Sequence, residues 1–417
     1  MFIVIILLFS VSMFADNFLR IFDLNVVGIE YAAWSITMTF LVIKYLFKGA
    51  LVPLGYFHAL IIVLILCVLN GLSDYVLLRW YLMGFAITLL MPITYIVFYN
   101  VYLEKNEIAN MIKKMSNVLT SILVLQMLLM IMFGEKYFFY KENGLAASSV
   151  NICIIMSLAT YGLTRNKKYL IYVFLCFASF GLFMSVKSFV VGTAITFIYM
   201  FFLEKNALYK VITVVGVLFF VSLFSSTIFF GEIQKKFDDY LIGENIENMP
   251  RNALYIASIN MANDKFPFGT GQGTFGGYPS KAYYGDVYYD YGLNKVHGLR
   301  PTTSSLLRDK RDPGFMLDTY WSSIIGEMGY IGFMFYLFLF LYPAYSLIRF
   351  LKRKIDLIYV YMIFVAMSIV IAIAIESIYL AIPYQIGFII FYSGFTALVN
   401  RCIIDNYKGE VKAYKLC

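Results

Sequence analysis

Long apolar runs separated by short polar connections are the feature that most constrains this chain. Many of the runs are long enough to cross the hydrocarbon core of a bilayer, which is about 30 Å thick. Of the 417 residues, 61% are hydrophobic and only 14% are charged, whereas a soluble domain carries about 25% charged residues. The sequence therefore predicts an integral membrane protein built from helices rather than a soluble one.

The predicted fold is an all-α polytopic membrane protein with about twelve transmembrane helices. A further short amphipathic helix is predicted over residues 104–114, lying on the membrane interface. The first apolar run resembles a signal peptide but has no basic start and no small-residue cleavage site, so we expect it to be retained. The predicted transmembrane helices lie near residues 2–15, 30–47, 53–69, 79–103, 117–133, 146–163, 169–184, 189–203, 209–230, 318–342, 357–375 and 382–400.

The basic residues predict the orientation, because short cytoplasmic connections are enriched in Lys and Arg. Alternate connections carry clusters of basic residues, and the opposite short connections carry few. The sequence therefore predicts that both termini are cytoplasmic and that one large loop between the ninth and tenth helices faces outward. The clusters contain Lys44 and Lys48; Lys105, Lys113 and Lys114; Arg165, Lys167 and Lys168; Lys205 and Lys210; Arg349, Lys352, Arg353 and Lys354; and Arg401, Lys408, Lys412 and Lys415.

Four parts follow from this topology: helices in 1–230, the large outward loop in 231–317, further helices in 318–400 and a cytoplasmic tail in 401–417. The net charge of +8 is spread over the short connections, so we expect no nucleic-acid partner. The five cysteines form no CxxC pair, and we expect neither a disulfide framework nor a metal site. No cofactor motif is recognisable either.

The large loop holds most of the candidate functional residues. Arg251 follows Pro250 at the start of a predicted helix, where an anion would be favoured. The glycine-rich run 266–277 contains Gly269, Gly271 and Gly273, whose backbone N–H groups could bind an anion. A solvent-exposed arginine and a tight structural turn are the simpler interpretations of these two features.

Further candidates lie at the predicted outer face. His297, Arg300 and Arg308 belong to the loop, and Asp318 opens the tenth predicted helix as an N-cap or a general base. Glu327 lies further along that helix, on which Gly326, Gly329 and Gly332 form a face suited to close packing. Lys187 lies between two apolar runs. It is a candidate functional residue because charge is costly at that depth in a membrane, or else it is an ordinary interfacial lysine. The same two interpretations apply to Glu376, at the end of the eleventh predicted helix.

The order of these features resembles the O-antigen polymerase and O-antigen ligase superfamily of bacterial membrane glycosyltransferases. Arg251, its helix and the run Phe266-Pro-Phe-Gly-Thr-Gly-Gln-Gly-Thr-Phe275 are similar to one family element. The segment from Asp318 to Gly332, with its Glu-x-Gly-x-x-Gly pattern, is similar to a second. Ser185-Val-Lys-Ser188 is similar to a third, although Lys187 stands where an arginine is expected.

The resemblance implies a metal-independent glycosyltransferase of the bacterial inner membrane. It would polymerise oligosaccharide repeat units linked to undecaprenyl pyrophosphate at the periplasmic face, with a flippase and a chain-length regulator as partners. Asp318, Arg251 and His297 would be catalytic. Lys187, Arg300, Arg308, Glu327 and the glycines at 269, 271 and 273 would bind substrate.

Two other functions are consistent with the sequence. An O-antigen ligase would transfer finished polymer to a lipid A core, but ligases typically show His-Asn where this chain has Asp318-Thr319. A polysaccharide flippase or other transporter also has about twelve helices. The long outward loop and the scarcity of charge inside the apolar runs count against that class.

Overall fold

A computed structural model gives the fold of most of the chain. It describes residues 51–133, 144–183, 186–224, 249–277, 279–280, 284–296, 298–301, 319–351, 355–378 and 386–414. Within these ranges the secondary structure is helical, with no strand. The predicted helices near 2–15 and 30–47 lie outside the described residues.

The described chain forms thirteen α-helices, one short 3₁₀ turn at Leu293–Lys295 and one π-helical stretch at Ile390–Phe395. In chain order, the α-helices are α1 (Leu54–Asn70), α2 (Leu78–Tyr99), α3 (Lys105–Phe133), α4 (Gly144–Thr164), α5 (Lys168–Phe183), α6 (Val186–Phe202), α7 (Ala207–Phe224), α8 (Pro250–Asp264), α9 (Val287–Asp290), α10 (Tyr320–Leu351), α11 (Leu357–Glu376), α12 (Ile386–Ile389) and α13 (Thr396–Tyr414).

Four described helices are long and apolar enough to cross a membrane: Leu78–Tyr99, Lys105–Leu128, Tyr320–Leu351 and Leu357–Glu376. Shorter apolar helices accompany them within α1, α4, α5, α6 and α7. A helical protein associated with a membrane is thus supported by length and composition. The total of about twelve spans, and their orientation, stay predictions.

The amphipathic segment 104–114 does not form a separate interfacial helix. It is continuous with the following span in α3. Ile108, Met111, Ile112 and Met115 recur at helical spacing and are all buried, so this stripe packs against the protein rather than on lipid. The prediction of an interfacial helix was wrong because the sequence shows that one face of the segment is apolar but not whether protein or lipid covers that face.

Two other boundaries differ from prediction. The tenth predicted helix, 318–342, is extended in α10 to Leu351. The tail after residue 401 is helical as far as Tyr414, since Cys402 and Ile403 are buried against the bundle and hold its first turns in place.

Helix α4 lies at the centre of one packing group. It contacts α3, α5, α6 and α11, and every residue from 148 to 162 is buried. Helix α10 organises a second group with α1 and α8. Because α11 contacts both α4 and α10, it connects the two groups.

Thiol labelling can test the predicted orientation. The cysteines at 67, 153, 176 and 402 are buried, so a Cys417→Ser background leaves few thiols for an impermeant reagent. Asp286 and Lys168 are both exposed and are predicted to lie on opposite faces. Asp286→Cys should be labelled in right-side-out membrane vesicles and Lys168→Cys only in inverted ones. Equal labelling of both positions from one side would contradict the topology.

Candidate functional site

Helix α10 is broken at Gly329. This residue has φ 65° and ψ −177° inside an otherwise helical stretch, a backbone conformation that strongly favours glycine. The carbonyl oxygen of Pro267 lies where a Cβ on Gly329 would be. The break therefore allows another backbone to approach α10 closely.

The glycine-rich run occupies this break. In an unbroken helix the carbonyls of Gly326 and Glu327 would accept hydrogen bonds from residues four positions later. Here Gly326 O accepts from Thr270 N at 2.9 Å, and Glu327 O accepts from Gly271 N at 3.0 Å. The side-chain amide of Asn70 also donates to Glu327 O at 3.1 Å. Main-chain groups of the loop thus replace the lost helical hydrogen bonds.

The carboxylate of Glu327 lies beneath the same run. The amide of Phe275 donates to its Oε1 at 3.0 Å, and the amides of Gly273 and Thr274 interact with the same carboxylate. Glu327 is only 3% exposed. Of the three glycines predicted to bind a substrate anion, Gly273 instead donates its amide to this carboxylate, while Gly269 and Gly271 donate theirs to main-chain carbonyls. A substrate-binding role for these glycines stays a prediction.

Helix α2 closes the other side of the run. A Cβ on Gly84 would lie 2.5 Å from Gly273 N, so the two backbones are in direct contact. One turn further along α2, Thr88 Oγ1 donates to Gln272 Oε1 at 2.7 Å. The run is buried between α2 and α10 and joins these two helices. We call this contact of residues 266–277 with α2 and α10 the clamp.

Helix α8 carries Arg251 in its first turn and packs on α10. Tyr255, one turn after Arg251, donates from its hydroxyl to Ile378 O at 2.7 Å. Burial raises the pKa of Tyr255 to about 12, which extends the pH range over which the phenol can donate this bond. This bond fixes the Arg251 end of α8 to the residues that follow α11.

The segment that bears Arg300 lies over the start of α8. A Cβ on Gly298 would lie 3.3 Å from Pro250, and Leu299 is buried in the same apolar cluster as Leu254. Arg300 itself is exposed, with Nη2 donating to Lys295 O at 3.4 Å. The chain segments that carry two predicted anion ligands, Arg251 and Arg300, are therefore in contact at the start of α8.

The tyrosines of the large loop differ in how far they are buried. Tyr288 is buried, with its hydroxyl accepting from Gly276 N at 2.8 Å and donating to Ser280. Tyr284 stacks on Tyr288, and burial raises its pKa to about 12. Of the described tyrosines in the loop, Tyr289 has the most exposed ring, at 51%.

A buried polar cluster lies at the end of α11. Glu376 is 1% exposed, and Asn151 of α4 donates to its Oε1 at 2.5 Å. The side chains of Ser148 and Ser188 also bond to this carboxylate. Because Ser188 directly follows Lys187, the start of α6 is fixed to the ends of α4 and α11. A carboxylate buried this deeply is costly unless it is hydrogen-bonded.

The last turn of α11 also holds α10. The main-chain amide of Tyr320 donates to Ser377 O at 3.2 Å, and Trp321 Nε1 donates to Ala374 O at 3.0 Å. These carbonyls are among those that a helix leaves free at its C-terminus. The starts of α6 and α10, together with α8, therefore meet at one end of the bundle.

The structure brings together only some of the residues that the sequence predicted for the site. Arg251 and the segment of Arg300 come together at this end, and Glu327 lies within the clamp. His297, Arg308 and Asp318 lie outside the described residues, as does the side chain of Lys187. Glu376 was a candidate from its depth in the sequence, but its hydrogen-bonded partner Asn151 was not predicted, because no local pattern shows which helices meet at that point.

In comparisons with known proteins, no family model and no curated protein matches the chain. The resemblance to the polymerase and ligase superfamily therefore depends on the motifs and on their positions in the fold.

Replacing Gly269 tests the clamp. Gly269 has φ 75°, and an added Cβ would lie 2.5 Å from Gly326 O. Gly292 is a matched control, with φ 68° and no atom within 4 Å of an added Cβ. Gly292→Ala should cost only the backbone strain, about 1–2 kcal/mol. Gly269→Ala adds a clash and should cost about 3 kcal/mol or more, measured by unfolding in detergent. Equal losses would contradict the clamp.

Replacing Glu327 tests the anchor beneath the glycine-rich run. Glu327→Ala leaves buried amides without their acceptor, at a cost of about 1–3 kcal/mol for each unsatisfied group. Glu327→Gln keeps one acceptor oxygen and should lose less stability. Limited proteolysis within 266–277, beside the unfolding midpoint, measures both effects. An alanine variant as stable and as protected as the parent would show that the anchor is dispensable.

Proposed function

We propose that this protein is a membrane glycosyltransferase that polymerises oligosaccharide repeat units linked to undecaprenyl pyrophosphate, for O-antigen or a related surface polysaccharide. The reaction takes place at the outer face of the bacterial inner membrane. An acceptor sugar hydroxyl attacks the anomeric carbon of the donor, and the donor's lipid pyrophosphate leaves.

The observation that carries this proposal is the corner where α8 begins. Arg251 is in the first turn of α8 and Gly298, two residues before Arg300, packs on Pro250. The bond from Tyr255 to Ile378 joins this corner to the membrane bundle. Two arginines are thus carried at one end of a helical bundle, which supports a site for a lipid headgroup there.

This arrangement suits a pyrophosphate leaving group. The first turn of α8 contains no acidic residue, so the positive end of the helix dipole and the guanidinium of Arg251 favour an anion. Arginine can bind phosphate oxygens in a bidentate manner. Charge that develops on the leaving group would be stabilised by groups already held in position.

The clamp explains how a loop can hold this position. Glycosyl transfer with a pyrophosphate leaving group needs ligands fixed to within a fraction of an ångström, about 0.5 Å. The glycine-rich run ties the far end of α8 to α10 through Thr270 and Gly271, while Tyr255 ties the near end to α11. Asp318 or His297 is proposed as the base that assists the attacking hydroxyl.

Substitution of Arg251 tests the function. Purified protein given lipid-linked repeat units in detergent should form longer chains. Arg251→Ala should lower the rate by about 10² to 10³-fold, as expected for the loss of one charge-stabilising donor. Arg251→Lys should be intermediate, because lysine keeps the charge but lacks the bidentate fork.

Lys295→Ala is the matched control, since Lys295 is an exposed cation of the same loop with no proposed role. It should polymerise at the parental rate. Parental chain lengths from both Arg251 variants at equal protein levels would overturn the pyrophosphate site. If the purified parent makes no longer chains but moves the lipid across vesicles, the protein is a transporter.

A further inference from the structure

A lipid-facing groove lies between α6 and α7 at the end of the bundle opposite to Arg251. It has a volume of about 290 Å³, and it is lined by Phe197, Phe201 and Phe202 of α6 and by Val214 and Lys210 of α7. Phe201 is 76% exposed and Phe202 is 75% exposed. The lining is entirely apolar, so Lys210 contributes its aliphatic stem to the groove and not its ammonium group.

The surface around the groove is strongly basic. Between residues 160 and 215, this end of the bundle carries Arg165, Lys167, Lys168, Lys205 and Lys210. Lys167 Nζ lies 5.8 Å from the ring centre of Tyr209, the residue before Lys210, so Lys167 is carried close to the start of α7. This is also the face that the positive-inside rule predicts to be cytoplasmic.

The only acidic residue in this stretch is Glu204, and its charge is already neutralised. Its side chain is 1% exposed, and its Oε2 lies 2.8 Å from Arg165 Nη1. Its Oε1 accepts from Asn206 N at 2.8 Å. Within residues 160–215 the basic side chains thus outnumber the acidic ones, and the one carboxylate is already paired with Arg165. This local excess of positive charge favours an anion.

We propose that this groove binds one anionic phospholipid of the cytoplasmic leaflet, with an acyl chain along the phenylalanines and the headgroup phosphate beside Lys210 and Lys205. Lys210 lies in the first turn of α7, where its aliphatic stem follows the apolar groove and its ammonium reaches the headgroup level. A zwitterionic lipid fits the same apolar lining but gains less from the lysines. The site is independent of the proposed glycosyltransferase activity.

Lipid binding to the full-length protein tests the proposal. Delipidated protein in detergent is titrated with phosphatidylglycerol or phosphatidylcholine of identical acyl chains, and bound lipid is counted by native mass spectrometry. The parent should bind phosphatidylglycerol more tightly. A Lys205→Gln/Lys210→Gln variant should lose about fivefold in phosphatidylglycerol affinity for each lysine and should bind phosphatidylcholine as before.

Two further variants separate the groove from general surface charge. Lys113→Gln/Lys114→Gln removes two exposed lysines of α3 and should leave phosphatidylglycerol binding unchanged. Val214→Phe fills the groove without altering charge and should weaken both lipids. All variants are compared only as monodisperse protein. No preference for phosphatidylglycerol, an equal loss in the α3 variant, or parental binding by Val214→Phe would each overturn the site.

Discussion

The break in α10 at Gly329 is the constraint on which the end of the bundle that carries α8 depends. A helix that loses its hydrogen bonds inside a membrane must satisfy the freed carbonyls from another part of the protein. Thr270 and Gly271 do this with their amides, and the carboxylate of Glu327 satisfies amides of the same run in return. The exchange is reciprocal, so neither the broken helix nor the glycine-rich run is stable in this form without the other.

A polar loop is thereby anchored inside an apolar bundle, and α8 is positioned by it. One end of α8 continues into the clamp, and the other is bonded through Tyr255 to Ile378. The end of α11 adds a second anchoring point, where Glu376 joins α4 and α6. Buried carboxylates at 327 and 376 thus connect helices, and the proposed chemistry is left to cations at the surface of the bundle. The two proposed anion sites therefore differ. At one end of the bundle two arginine-bearing segments are fixed in contact, and at the other end lysines lie beside an apolar groove.

The candidate site could be predicted only in part. Arg251 at a helix start was predictable because Pro250 marks the first turn, and the structure has α8 at Pro250–Asp264. Its proximity to the segment of Arg300 was not, since contact between residues about fifty positions apart depends on how the loop folds back. The glycines of the run indicated positive φ and close approach, and Gly269, Gly271 and Gly273 all have positive φ. These glycines are in close contact with α10 and Glu327, and no local sequence pattern identifies that partner.

The sequence by itself determined that the chain is helical and apolar, because burial in lipid requires long runs of nonpolar residues whose backbone is internally bonded. It also determined most helix positions, from run length alone. Only the tertiary structure decided which helices bend and which residues meet. The stripe at Ile108 and Met111 and the helical tail beyond residue 401 are buried by partners distant in sequence. The polar cluster at Glu376 depends on three helices arriving at one point. Periodicity records which face of a helix is apolar, whereas the partner of that face is fixed by packing across the whole bundle.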